Sequence, residues 1–401
     1  MSRLSPDDFS ILSDPETAAL VETHLADDPA RLALRLKGDR EQARLVCQQV
    51  KYLQRAKSKL PSYYAARCIV PPLAYEQCSS EAAASGKNYS GKLCIDLTGG
   101  LGVDSYHFSK HFGQVITIER DPVLASVSRH NFALLGGDNI TVENTSAEEF
   151  LSRYDGPKAD LIYLDPARRN EGKRVFLLED CSPNALELLP LLLKWGERVV
   201  VKLSPLFDID EAIRVFGPHL SLVEVVSVAG EVKELLVELM ESPEPLRISV
   251  NIAGHERYLF TPEDREERIS GKLTTEDYLL IPDAAFYKGR LVGALFHRYF
   301  AEDKIIYPEK NGFAFACHLP EGFPGRAYRI EERMPYRPKQ LKKWFSEQSI
   351  ARVNILRRRF PFASEEIKQA LRVKEGGADW LAFTEIAGEN WVFRVAPVTE
   401  K

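Results

Sequence analysis

Apolar positions along this chain change their period as it proceeds. Up to about Tyr89 they recur at helical spacing, through Leu20, Val21 and Leu25 and again through Leu45, Val46, Val50 and Leu53. Asp14-Pro15-Glu16 reads as a helix start, with proline at the first helical position, where its missing N–H costs nothing. From about Lys92 to Met240, short runs rich in Val, Ile and Leu alternate with helical passages. That alternation predicts a mostly parallel sheet covered on both faces. Its last two runs, Ser221–Val228 and Glu231–Leu239, turn at Ala229-Gly230 and predict a closing antiparallel hairpin. Glu241-Ser242-Pro243-Glu244-Pro245 is a linker by composition.

Beyond the linker the pattern becomes α+β. Short strands are expected at Ile248–Ile252, Tyr258–Phe260, Tyr278–Ile281, Phe313–His318, Ala327–Glu332 and Ala351–Ile355. Asp283 is placed to cap a helix running towards Phe300, Pro338 to open one through Trp344, and Ser364 to cap a third. Trp380–Ile386 and Trp391–Val398 read as a final hairpin. The expected division is a helical region at 1–89, an α/β domain at 90–242, a small ferredoxin-like α+β segment at 243–285 and an α+β domain at 286–401.

Composition narrows the classes. A length of 401 residues suggests roughly two or three domains. A net charge of −5 excludes a chain that is basic throughout, so any nucleic-acid contact has to come from a local patch. No N-terminal apolar stretch follows Met1, and no run approaches the roughly 18 apolar residues that span a membrane, so a cytoplasmic protein is expected. Cys47, Cys68, Cys78, Cys94, Cys181 and Cys317 are scattered with no C-x-x-C pair, which fits reduced thiols and no metal site.

The chemistry concentrates in Leu93-Cys94-Ile95-Asp96-Leu97-Thr98-Gly99-Gly100-Leu101-Gly102-Val103-Asp104. An apolar run ends in an acid, a glycine turn follows and a helix begins; about 20 residues later a second run ends at Glu119. Such a β-α-β unit holds nucleotide-like ligands, with the second acid able to accept hydrogen bonds from ribose hydroxyls. A dinucleotide site needs G-x-G-x-x-G for its pyrophosphate, but Gly100-Leu101-Gly102-Val103-Asp104-Ser105 lacks the third glycine and puts an acid in the first helical turn. A phosphate-free, cationic cofactor fits better, and S-adenosyl-L-methionine is such a molecule. The second informative run, Asp160–Leu164, leads into Asp165-Pro166-Ala167-Arg168. Ligands in open α/β sheets sit at the carboxyl ends of strands, so Asp165 faces the same crevice as Gly100 and Glu119. Lys202, Glu231 and Glu234 read as solvated strand-end charges, and Ser79 and Ser80 either as a helix cap or as the border of the cofactor pocket.

The stretch around Asp96, Gly100 and Gly102 resembles the first motif of the class I S-adenosylmethionine-dependent methyltransferases. The resemblance implies a Rossmann-like, seven-stranded sheet and cofactor contacts from Asp96, Thr98, Gly99, Gly100, Gly102, Asp104, Glu119, Arg120, Ser146 and Ala147. Thr98 stands where the first glycine is commonest, and Ser146 where an Asp often binds the adenine amino group. Asp165, Pro166 and Arg168 are similar to the D/N-P-P-aromatic motif of enzymes that methylate base nitrogens, with Ala167 and Arg168 departing from it. Across the whole chain these motifs look like those of a bacterial family of class I methyltransferases that carry a C-terminal THUMP-like domain. True THUMP domains present RNA to an attached modifying domain. Independently, Arg337, Lys342, Lys343, Arg357, Arg358 and Arg359 cluster near Trp344 and Phe360, which suits phosphate contact with base stacking or, equally, a solvated helix face. The expected function is methylation of a base nitrogen in an RNA such as tRNA or rRNA. The alternatives are a small-molecule or protein methyltransferase with the same cofactor site, and a non-catalytic RNA-binding adaptor.

Overall fold

The computed structural model describes residues 3–36, 39–168, 178–266, 277–300, 305–306 and 311–398. They divide into two compact units, Met1–Val228 with Lys233–Ala253, and Ala229–Val232 with Gly254–Lys401.

In the first unit the opening helices start where short acids cap them. Asp14, Asp28 and Asp39 each accept a backbone N–H at the start of the helices Pro15–Thr23, Pro29–Arg35 and Arg40–Lys59. The long helix Arg40–Lys59 turns Leu45, Val46, Val50 and Leu53 inward, all fully buried, against Leu32, Tyr63 and Val127. Burying each such side chain contributes about 1.5–3 kcal/mol.

The strands of this unit are β1 (Gly91–Asp96), β2 (Phe112–Ile118), β3 (Ile140–Glu143), β4 (Leu161–Leu164), β5 (Ala167–Arg168), β6 (Cys181–Ser182), β7 (Val199–Leu203), β8 (Leu220–Val228), β9 (Glu231–Leu239) and β10 (Arg247–Ile252). Apart from the small β5–β6 pair, they lie in the order β3-β2-β1-β4-β7-β9-β8-β10. β1 pairs in parallel with β2 and β4, β2 with β3, and β4 with β7, whereas β9 runs antiparallel to β7. The first seven of these strands match the expected sheet, but β10 extends it by pairing in parallel with β8. Ile248 and Val250 are fully buried there, and Ser249 and Asn251 donate to the buried Glu224 at 2.9 and 3.2 Å. The proline-containing stretch at 241–245 is therefore a loop within the sheet, and the expected boundary at 242 falls inside the unit.

The second unit holds β11 (Tyr258–Phe260), β12 (Tyr278–Pro282), β13 (Ile305–Ile306), β14 (Ala314–Ala316), β15 (Gly325–Pro335), β16 (Arg352–Arg357), β17 (Lys374–Glu375), β18 (Asp379–Ile386) and β19 (Glu389–Pro397). Eight of them form a sheet in the order β13-β14-β12-β15-β19-β18-β16-β17. Since β12 pairs with β14 and β15, the expected separate segment at 243–285 has no sheet of its own. The helix expected from Asp283 to Phe300 is two helices, Ala284–Gly289 and Val292–Tyr299, broken where Arg290 takes φ 58°. Ser364 is not a cap: the cap position is Ala363, whose N–H donates to Glu366 at 2.6 Å.

Candidate active site

The glycine turn is tied down from both sides. Asp96, at the end of β1, is buried; its Oδ1 accepts the Thr98 N–H at 3.0 Å and its Oδ2 the Ser105 hydroxyl at 2.5 Å. Burial pushes its carboxyl up to about 7, against those hydrogen bonds and aided by the like charges of Asp104 and Asp165. Thr98, standing in for the usual glycine, accepts the Asp165 N–H on Oγ1 at 2.7 Å and so binds the β1 turn to the β4 turn. Glycine is required at position 102: φ is +86°, and a Cβ there would lie 2.3 Å from the Phe132 ring. At Gly99 a Cβ would lie 2.3 Å from the Thr117 hydroxyl, while Gly100 has φ +56°.

Glu119, after β2, straps the turn. Its Oε2 accepts the Gly100 N–H at 2.9 Å and its Oε1 the Asp121 N–H at 2.7 Å. Burial raises this carboxyl and the two N–H bonds pull it back. Each oxygen keeps a further lone pair, and the side chain is half-buried. The other expected contacts have local work. Arg120 is exposed, with Nη1 3.2 Å from the Ser182 hydroxyl. Ser146 caps the helix Ala147–Arg153 by accepting the Glu149 N–H, and Ala147 is buried.

Behind Asp165 lies a set of charges whose strand-end positions predict exposure to solvent. Glu234 is buried instead, and Lys202 is mostly so, its side chain 13% exposed. Lys202 Nζ is 2.6 Å from Asp165 Oδ2, 3.0 Å from Ser79 Oγ and 3.7 Å from Glu234 Oε2. Ser79 donates to Asp104 Oδ2 at 2.8 Å; Asp104 Oδ1 is 2.8 Å from Lys87 Nζ, which is 2.8 Å from Glu234 Oε1. Lys202, Ser79, Asp104, Lys87 and Glu234 thus close a ring, with the Tyr163 hydroxyl donating to Asp104 at 3.1 Å. Burial works to raise Asp104, but Lys87 and Lys202 outweigh it and hold the carboxyl below the usual range. Burial likewise opposes the charge on both lysines, and the surrounding carboxylates overcome it and raise them. Asp104, expected to touch the cofactor, has both oxygens engaged within this ring. Of the two serines, Ser80 caps the helix Glu81–Ser85 and Ser79 joins the ring. The available signal was a charge inside an apolar strand, Lys202 in β7 and Glu234 in β9, where an unpaired ion is costly.

Asp165 is the limb that leaves the ring, its side chain 35% exposed. After it, β5 pairs with β6, setting Arg168 opposite Cys181. Cys181, remote from the motif in sequence, is therefore beside it. The Arg168 side chain lies outside the described residues. Among the described residues no group of three or more His, Cys, Asp or Glu side chains could hold a metal ion, and no helix is long and apolar enough to cross a membrane.

In the second unit, Lys342 and Lys343 lie on the helix Pro338–Glu347, which Arg337 precedes. Arg357 ends β16, and Arg358 and Arg359 follow it. Arg337, Lys343, Arg357 and Arg359 are exposed; Arg358 stacks 4.1 Å over the Tyr287 ring. Phe360, expected to stack on bases, is buried in the core with Tyr336 and Phe383, and the Trp344 indole donates to Glu332. The exposed aromatic beside this stretch is Phe362, at 42%.

A family model described as THUMP domain-like matches residues 325–397. An uncharacterized S-adenosylmethionine-dependent methyltransferase of Mycobacterium tuberculosis, in strains CDC 1551 and H37Rv alike, is 26% identical over 300 residues, covering 72% of this chain and 76% of the relative. The crystal structure of a candidate methyltransferase from Porphyromonas gingivalis W83 superposes with a TM-score of 0.84 at 26% identity, over 99% of this chain and 100% of that one. The chain thus has the fold of the class I methyltransferases, is similar over most of its length to S-adenosylmethionine-dependent members of that class, and resembles a THUMP domain over residues 325–397.

Proposed function

We propose that the chain transfers a methyl group to a nitrogen of an RNA base, and that Asp165 orients the acceptor. The observation that carries this reading is Asp165 itself, fixed at the carboxyl end of β4 with Oδ2 on Lys202 and its N–H on Thr98. S-adenosyl-L-methionine, when bound, supplies an electrophilic methyl group on a sulfonium. The residues fit it: Glu119 has lone pairs left for ribose hydroxyls, and Gly100 and Gly102 leave the turn without side chains. Asp96 fits less directly, because it faces the turn and Ser105 and would act by holding the loop. Asp165 Oδ1 and the Pro166 carbonyl can accept hydrogen bonds from an amino group, aiming its lone pair at the methyl carbon, and positioning of this kind supplies several kcal/mol. Arg168 would stack on the base or grip a phosphate. The THUMP-like match and the exposed cations Arg337, Lys343, Arg357 and Arg359 within it support RNA, with Lys342 and Arg358 beside them. Loops or single-stranded ends of tRNA or rRNA, in the cytoplasm, are the targets that demand least unstacking.

Two measurements test this. Glu119→Ala should weaken S-adenosylhomocysteine binding by about 1.5–3 kcal/mol in calorimetry, the cost of losing a charged hydrogen-bond partner. Asp165→Ala should slow single-turnover methylation of RNA from a strain lacking the protein by about 10²-fold, with cofactor affinity nearly intact. A full rate from Asp165→Ala refutes the role given to it. A second reading has one observation behind it, since Cys181 beside Arg168 is a thiol of the kind that activates a pyrimidine for methylation on carbon. A methyl group found on carbon, and its loss in Cys181→Ser, would replace the nitrogen reading.

A further inference from the structure

Resting on that reading of Asp165, we propose that Lys202 is a positioning residue for methyl transfer, and that the buried ring behind it exists to hold Asp165 in one orientation with one charge. Five segments supply the ring: the loop at Ser79, the loop at Lys87, the helix Val103–Ser109, β7 and β9. β7 reads Val199-Val200-Val201-Lys202-Leu203, with all but the lysine buried and apolar. A hydrophobic residue at 202 would stabilise such a strand as well as a buried ion pair does, or better, so stability alone does not account for a lysine there.

Its geometry does. Asp165 is clamped at two points, the N–H on Thr98 Oγ1 at 2.7 Å and Oδ2 on Lys202 at 2.6 Å, which among the described residues leaves Oδ1 and the Pro166 carbonyl for an acceptor. The charges act in the same sense. Among the described residues of the cluster, Lys87 and Lys202 balance Asp104 and Glu234, which leaves the carboxylate of Asp165 as the remaining charge, and it is the one at the crevice. Among the other groups near Lys202, the Cys78 thiol is pushed up by burial to about 11 and stays neutral. As the acceptor lone pair forms the N–C bond, the C–S bond breaks with its electron pair going to sulfur. Positive charge then moves onto the nitrogen, whose proton passes to Asp165 Oδ1 and on to water. A negative charge fixed there in advance stabilises that change more than one that must swing into place.

The experiment is methyl transfer from tritiated S-adenosylmethionine by the full chain to RNA, protein and small-molecule fractions of a strain lacking it, followed on whichever fraction accepts label. Lys202→Met should lower kcat by about 10- to 100-fold, as for a misplaced catalytic group, with acceptor KM and S-adenosylhomocysteine affinity within about threefold. Lys202→Arg should recover most of the rate. Joined to Asp165→Asn, Lys202→Met should add little to the loss caused by Asp165→Asn alone, because one acts through the other. If Lys202→Met does not melt cooperatively, Lys202→Gln carries the same criteria. Full activity of Lys202→Met, a change in KM with kcat intact, or multiplicative losses in the double variant would overturn the proposal. Label on protein or small molecules fails the RNA reading but leaves this one standing; label on no fraction overturns both.

Discussion

Lys87→Met is the perturbation whose cost the structure defines best. The ammonium of Lys87 is fully buried, 2.8 Å from both Asp104 and Glu234 and 5.8 Å from the centre of the Tyr163 ring. Methionine replaces most of the hydrocarbon volume, so the loss is one of charge. Asp104 and Glu234 are left to share Lys202, which also serves Asp165. Removing one partner of a buried pair costs about 3–5 kcal/mol, because the survivor keeps its desolvation penalty. For a unit of this size that corresponds to a Tm lower by about 6–20 °C. The pH dependence has a definite sign. Asp104, held below the usual carboxylate range, contributes stability that is complete above its unfolded value of about 3.9 and is lost as pH falls through its folded value. Without Lys87 that contribution shrinks, so the gap between wild type and variant should be widest near neutral pH and narrow towards about pH 3. Urea unfolding at several pH values reads both effects, with the exposed Lys92→Met as a control expected within about 0.5 kcal/mol of wild type. Adding Glu234→Leu to Lys87→Met should restore part of the loss, since the stranded carboxylate is removed. A deficit under about 1 kcal/mol at pH 7, or one that grows on acidification, would refute the ring as a set of buried, mutually neutralising ions.

Two further outcomes follow from the turn. Asp96, with a folded value of about 7, contributes stability that is fully present below its unfolded value of about 3.9 and is lost as pH rises through 7, at most about 4 kcal/mol. Asp96→Asn should remove that slope, and urea midpoints that keep a constant offset from wild type between pH 4 and 8 would contradict it. Gly102→Ala combines left-handed backbone with a Cβ 2.3 Å from Phe132 and should cost about 2–5 kcal/mol, whereas Gly136→Ala, at φ +70° with nothing within 4 Å, should cost about 1–2. Equal losses for the two glycines in denaturant unfolding would show that the Phe132 contact is not what fixes position 102.

The order of elements was legible because hydrophobic period reports it directly. β1, β2, β4 and β7 lie where their apolar runs place them, and the Ala229-Gly230 turn sits between β8 and β9 as composition suggests. Boundaries were harder. Ile248–Ile252 alternates apolar and polar residues, the mark of a half-exposed edge strand, yet its polar residues face the buried Glu224. Local pattern cannot distinguish a polar side chain meeting water from one meeting a buried acid. The same ambiguity hid Lys202 and Glu234, and it made Phe360 look available when Tyr336 and Phe383 enclose it. Sequence distance separates Cys181 from the Asp165–Arg168 motif, and a two-residue strand pair cancels it.

For the site, position in the strand order and role in the chemistry turn out to be separate properties. Asp96, Glu119, Asp165 and Lys202 all stand at or near the carboxyl ends of parallel strands, which is where sheet topology puts ligand-facing groups. Their depth then divides the work among them. Asp96 is buried and raised, and it holds Thr98 and Ser105. Glu119 is half-buried and bridges Gly100 and Asp121 with acceptor capacity to spare. Asp165, its side chain 35% exposed, is braced from behind by Lys202, whose own charge is tolerated only because Glu234 and the Lys87–Asp104 pair surround it. A carboxylate at a strand end is thus a candidate for chemistry when its exposed oxygen is free and its buried oxygen is held, a condition Asp165 meets and Asp96 does not.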